Sequence, residues 1–204
     1  MGLISAGSTI FDAGSMSAGF GGSMVFIKKL TASSSGTLSF VDGASSVVLD
    51  NTYKEYLFTF KDIHPATNTA YLTFQSSTDT GSSYGVAITS TAFYSRQIES
   101  GGNTELDYNG SADLAQGTGF QRLSQGVGNG GDETCSGTLH LFNPSSTTFA
   151  KHFIARMSNY QSGDYIYDQH TAGYINTTSA VDAIQFKFSS GNIDAGDICL
   201  YGIA

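Results

Sequence analysis

Paired carboxylates are the first constellation to weigh. Glycoside hydrolysis by an all-β surface protein needs two of them at a defined separation across a cleft. The chain has four glutamates, Glu55, Glu99, Glu105 and Glu133. Glu99, Glu105 and Glu133 fall in glycine-rich stretches, the usual place for solvated charge. Glu55 stands beside Lys54 in a strand-like run, where a cross-strand ion pair is the plain reading. The histidines, His64, His140, His152 and His170, show neither HxH nor HExxH spacing, so no motif supports metal ligation. Serine is abundant, but no GxSxG elbow exposes one as a nucleophile. "GVGNGGDE" (126–133) has neither the Lys-Ser/Thr pair nor the following helix that a phosphate cradle needs, and reads as a surface loop. In "GNIDAGD", Asn192, Asp194 and Asp197 offer oxygens to Ca²⁺ without the dense acidic spacing of an EF-hand loop. A tight turn whose Asn and Asp side chains bond their own backbone explains the stretch as well. No catalytic residue, cofactor or metal is assigned, and the chain reads as non-enzymatic.

Exposed aromatics remain. "SNYQSGDYIYDQHTAGY" combines tyrosines with acid, amide and imidazole groups, the flat faces and polar tips that sugar- and protein-binding surfaces use. Tyr160, Tyr165, Tyr167, Asp168 and His170 are the candidate receptor or glycan surface. The competing reading is that tyrosines alternating through a sandwich fill the rim of its core.

The elements that must hold these residues are strands. From Met24 onward, short apolar runs with period-two alternation are separated by Gly/Ser/Asn/Asp turns. "MVFIKKL", "GTLSFVDG", "SVVLD", "YKEYLFTFKDI", "AYLTFQSS" and "SSYGVAITSTAFYSRQ" come first, with a hairpin-type turn at Asp42-Gly43. "TCSGTLHLFN", "FAKHFIARMSNYQ", "DYIYDQHTAGY", "AVDAIQFKFSS" and "DICLYGI" follow a region poor in apolar residues (99–119), whose stretch Ser111 to Gln116 is the one candidate helical turn. About ten strands with short loops predict an all-β, antiparallel two-sheet sandwich, jelly-roll-like, over residues 24–204. "DICLYGI" is apolar on both faces, Ile198 and Leu200 on one, Cys199, Tyr201 and Ile203 on the other. It is expected to be an interior strand, covered by the opposite sheet and by a neighbouring subunit.

Residues 1–23 are rich in Gly and Ser with isolated large apolar residues, Leu3, Ile4, Ile10, Phe11 and Phe20. That spacing closes no core, and predicts an extended N-terminal arm docking into a neighbouring protein. No Lys or Arg precedes Lys28, as a signal peptide would require, and no transmembrane stretch occurs. The formal net charge is −8 and charged residues are 13% of the chain, about half the usual share, so neither nucleic acid nor membrane insertion is expected. Cys135 and Cys199 pair only if their strands are neighbours, and free thiols are the commoner use.

"KKLTASSSGTLSFVDGASSVVLDNTYKEYLFTFKDIHPAT", "SADLAQGTGFQ", "GTLHLFNPSSTTFAKHF" and "NTTSAVDAIQFKFSSGNIDAGDICLYGI" together resemble a family of small virion structural proteins of marine tailed bacteriophages. The resemblance spans roughly residues 25–204. It implies a β-sandwich of the tail-fibre or head-decoration kind, and that family contributes no catalytic residues. The expectation is a virion protein assembled in the host cytoplasm and exposed on the particle. It is expected to be a homotrimer, joined to other virion proteins through the arm and meeting a host glycan or protein.

Overall fold

The computed structural model describes the backbone of residues 3–5, 8–12 and 15–16, and residues 23–204 in full. The first three strands, β1 (Leu3–Ser5), β2 (Ser8–Asp12) and β3 (Ser15–Met16), pair among themselves in the order β1-β2-β3. The side chains of Leu3, Ile4, Ile10 and Phe11, and Phe20 as a whole, lie outside the described residues, so the docking arm stays an expectation.

Twelve strands form an all-β sandwich of two antiparallel sheets, with no helix among the described residues. They are β4 (Met24–Thr31), β5 (Leu38–Val41), β6 (Glu55–Pro65), β7 (Leu72–Ser77), β8 (Ile88–Ile98), β9 (Thr104–Tyr108), β10 (Gln121–Arg122), β11 (Cys135–Phe142), β12 (Lys151–Gln161), β13 (Tyr165–Ile175), β14 (Ala183–Phe188) and β15 (Ile193–Ile203). The large sheet runs β4-β15-β6-β11-β12-β13-β8-β9, and the small one β10-β7-β14-β5.

Period two decides which side chains enter the space between them. Along β12, Lys151, Phe153, Ala155, Met157 and Asn159 are buried while His152, Ile154, Arg156 and Ser158 are exposed. In β15, Ile198 and Leu200 are fully buried, and Gly202 beside them is roofed by the Tyr53 ring, which a Cβ at 202 would overlap. As expected, β15 is interior, bonded to β4 on one side and β6 on the other.

The centre of the core is aromatic. Phe186 of β14 meets Phe58 and Phe60 of β6 at 5.2 and 5.1 Å between ring centres, edge to face, and Phe40 of β5 at 6.2 Å. Phe74 of β7 packs against Phe153 of β12 at 5.0 Å. Edge-to-face rings match each positive rim to a negative face, which adds about 0.5–1.5 kcal/mol per pair beyond burial.

Four strands cannot roof eight, and the chain solves this with polar side chains. The segment from Asn109 to Val127 lies under the inner face of β8, β13 and β12. Asn109 N donates to the Ala92 carbonyl at 2.8 Å, Gln125 Nε2 to Gln169 Oε1 at 3.0 Å, and Asn159 Nδ2 to the Gly126 carbonyl at 3.2 Å. Gln169 and Asn159 are buried, so these bonds repay the desolvation of groups that would otherwise be orphaned.

This layer corrects several local expectations. Ser111 to Gln116 forms turns, not a helical turn, and 99–119 contains β9. "GVGNGGDE" is not a surface loop at its start: Gly126, Val127 and Gly128 are buried. Glu133 is buried too, its carboxylate folded back onto the Gly130 N–H where a Cβ at 128 or 130 would collide with it. Glu105 belongs to β9 and pairs with Arg96 at 2.6 Å. The turn at Asp42-Gly43 forms, but "SVVLD" runs on without pairing as a strand; Val47 and Leu49 are buried, and the Leu49 N–H donates to Asp42 Oδ1 at 2.8 Å. Cys135 and Cys199 are free thiols, the first on the inner face and pushed up in pKa by burial.

The turn after β7 is held by Asp79. Its carboxylate accepts Ser77 Oγ at 2.6 Å, Ser83 Oγ at 2.5 Å and the Ser83 N–H at 2.9 Å. These bonds, Ser77 first, hold its pKa down to about 2. A depressed carboxyl contributes stability above its unfolded pKa, about 4, and loses it as pH falls through the folded value. Asp79→Asn is therefore expected to lower the melting temperature at neutral pH, with the gap to the parent closing between about pH 4 and pH 2. A gap independent of pH in thermal melts would refute the assignment.

The candidate binding face

The outer face of the large sheet carries the chain's exposed apolar residues. Met24, Phe26, Phe93, Leu106, Tyr108, Ile154 and Ile166 all lie on its strands, and only Phe149 among the exposed large hydrophobics of the described residues sits elsewhere. Strand register aligns part of this set into one row across seven strands. Phe26 (β4) stands opposite Tyr201 (β15), which stands opposite Leu57 (β6), then His140 (β11). The row continues through Ile154 (β12) and Ala172 (β13) to Thr91 (β8). Phe26 and Tyr201 meet edge to face at 5.6 Å. Phe26 is 57% exposed and Ile154 54%, so the row stands proud of the sheet at these points. Beside Ala172 the surface sinks. One depression of about 170 Å³ is bounded by Phe93 and His170, another of about 430 Å³ by His152 and Tyr174.

One end of the face is polar. Ser136, Thr138 and Ser158 floor a shallow depression of about 390 Å³ rimmed by Arg156 and Asp168. Arg156 donates Nε to Asp168 Oδ1 at 2.9 Å and Nη2 to Oδ2 at 2.8 Å, the fork-to-fork geometry that only arginine makes. This guanidinium holds the Asp168 carboxyl below the usual range. His170 Nε2 lies 3.5 Å from the same carboxylate and its ring stacks on Phe93 at 4.8 Å. Lys29 pairs with Asp197 at 3.1 Å, and His140 Nδ1 with Glu55 Oε1 at 2.5 Å. Lys29, Lys61 and Arg156 stand against Glu55, Asp62, Asp168 and Asp197 across these rows, a smaller excess of negative charge than the −8 of the whole chain.

The five residues expected to form a receptor surface do not share one face. Tyr160, Asp168 and His170 point outward with the rows above, and Tyr160 donates to Asp164 Oδ1 at 3.2 Å. Tyr167 is only 7% exposed and turned inward, its hydroxyl accepting Arg96 Nη1 at 3.3 Å. Tyr165 shares that side, with its hydroxyl bonded to Asn103 Nδ2 at 3.1 Å and Arg96 over its ring. The reason is parity: 165 and 167 differ by an odd number from 168 and 170, so a straight strand separates them.

Among the described residues no group of three His, Cys, Asp or Glu could hold a metal. In the "GNIDAGD" turn each donor is engaged separately: Asp194 accepts Ser34 Oγ at 2.8 Å, Asn192 donates to the Ser34 carbonyl, and Asp197 accepts Thr31 Oγ1 at 2.6 Å. Glu55, Glu105 and Glu133 are each engaged on different elements. Lys151 is fully buried, its ammonium donating to the Thr177 carbonyl at 2.9 Å and lowered in pKa by desolvation. The face presents rings, hydroxyls and a guanidinium–carboxylate pair.

Sequence reasoning missed Phe26, Ile154, Phe93 and Leu106 as surface groups. A signal was present for Ile154, an apolar residue alternating in step with His152 and Arg156 on a polar face. In comparisons with known proteins, no family model, no curated protein and no solved structure matches this chain.

Proposed function

We propose that the protein is a non-enzymatic structural component of a tailed-phage virion surface, a tail-fibre or appendage subunit whose polar sheet end meets the host. Two supports carry this reading: the ordered sequence blocks that resemble virion proteins of marine phages, and the outer face itself. The observation that carries the host contact is the hydroxyl-floored depression beside the Arg156–Asp168 pair, next to Tyr160. Sugars and polar peptides are bound by such mixtures of fixed polar groups and ring faces. Attachment to the particle falls to residues 1–23.

Asp168→Asn combined with Tyr160→Ala is expected to reduce adsorption of recombinant protein to host cells about tenfold, the loss of roughly 1.4 kcal/mol of binding. Both side chains are outward, so the fold should survive, and a cooperative melt only modestly lowered by loss of the Arg156–Asp168 pair checks that. Undiminished adsorption would refute the host-contact assignment. Deleting residues 1–23 should leave a folded sandwich that no longer joins particles.

The abundance of exposed apolar side chains on the same face favours a second reading, a capsid decoration protein that stabilises the shell by burying interface. Copy number per virion separates the two: tens or fewer for a tail appendage, hundreds for a shell protein. Release of reducing sugar from host envelope would overturn the non-enzymatic reading altogether.

A further inference from the structure

We infer that the outer face of the large sheet pairs with the same face of a second copy, about a two-fold axis that runs along the strands through His140. The row Phe26 to Thr91 has a large end and a small end. Phe26 and Tyr201 project at the β4/β15 side, while Ala172 and Thr91 leave depressions on the β13/β8 side. His140 is the fourth of the seven positions. A two-fold through that position, parallel to the strands, places Phe26 over the partner's Thr91 and Tyr201 over the partner's Ala172. Leu57 then falls over the partner's Ile154, and every contact occurs twice. This is the self-complementarity that an isologous interface requires.

Size and charge agree with a second copy as the occupant. Seven strands at about 4.8 Å and eight residues at about 3.4 Å give a footprint of roughly 900 Å² per copy, comparable to the ~800 Å² per partner of a standard interface. With Asp62 counted, three cations face four carboxylates on this face of a chain of charge −8, so two copies approach here with less repulsion than elsewhere on their surfaces. The apolar row also gives the half-buried outer side of β15 (Cys199, Tyr201, Ile203) the second cover that its sequence calls for. Of the polar depression, Thr138 and Arg156 lie in the row of Cys199 and His170, under the partner, while Ser136, Ser158 and Asp168 lie two steps from the central row, about 14 Å, at the rim, and it is this rim that a host contact would use.

The geometry makes a distance prediction that folding defects cannot imitate. One step along the strands from the central row, Cys199 faces the partner's His170. Within one chain these positions are four strands apart, about 19 Å, whereas facing sheets are separated by about 10 Å. In the full chain carrying His170→Cys, a bismaleimide of about 10 Å reach should therefore link two copies through native Cys199. The parent chain, whose two Cys199 thiols sit at opposite ends of the interface, should not be linked. Cys135 is buried and takes no part. Sedimentation equilibrium should give a dimer, and Phe26→Ser or Ala172→Arg, each at an outward position, should weaken it at least tenfold with the melting of the monomer unchanged. A monomer at 100 µM, a trimer, or equal cross-linking of parent and His170→Cys chains would each overturn the inference.

Discussion

Phe186→Ala is expected to lower the unfolding free energy by about 3–5 kcal/mol, the range for emptying a large aromatic site in a core that cannot collapse. Phe186 is fully buried and belongs to the small sheet, yet two of its nearest rings, Phe58 and Phe60, belong to the large one. Removing it therefore takes out the contact between layers rather than a contact within one. The four rings around it, Phe40, Phe58, Phe60 and Phe74, are themselves at or near zero exposure and have nowhere to move. For a chain of this length a loss of that size lowers the melting temperature by roughly 10–15 °C. Urea unfolding followed by tyrosine fluorescence measures it directly, and a loss below about 1.5 kcal/mol would show that the site collapses and that the layers are held elsewhere.

Deleting Tyr201 to Ala204 is the second large effect. These residues pair on one side with Met24, Val25 and Phe26, and on the other with Glu55, Tyr56 and Leu57. The Ala204 N–H also donates to the Ser23 carbonyl at 2.9 Å. Their removal detaches the start of β4 from the sheet, exposes one edge of β6, and strips the backbone floor from beneath Tyr53. Several ladder bonds at about 1 kcal/mol each, with the lost apolar cover, bring the expected cost to about 3–5 kcal/mol. Gly202→Ala probes the same place more gently, because its methyl group must displace the Tyr53 ring that packs against Tyr56 at 5.8 Å. An unchanged melting temperature in the deletion would mean that β15 does not lock the sheet.

Both sites lie in the part of the molecule most legible in the sequence. "AIQFKF" and "YLFTF" place their rings inward by alternation, and those are the rings found in the core, whereas the bulge at Lys61 and Asp62 that shifts Ile63 inward leaves no trace in the pattern. Interior strands announce themselves because burial on one side acts on every second residue. The reading was weaker where structure is held by side-chain-to-backbone bonds. "SVVLD" has the composition of a strand but spends its polar bonds on Asp42, and Glu133 looked solvated because nothing local shows that two glycines make room for its carboxylate. Gln169 and Asn159 alternate in step with the core, a polar roof that only the shortage of strands in the opposite sheet explains.

The candidate face divides along the same line. Sequence alone determined that this is an antiparallel all-β sandwich and that "DICLYGI" is an interior strand, because period-two alternation is a local property of the extended chain. It also showed an acidic chain without a metal or nucleophile motif. Only the tertiary structure decided that Tyr165 and Tyr167 turn inward to Arg96, and that Arg156 locks Asp168. Only it decided that Phe26, Tyr201, Ile154 and Ala172 line up in one row. Strand order and register are set by which strands bury their faces together, across separations of more than a hundred residues, and alternation within a strand carries no record of its neighbours.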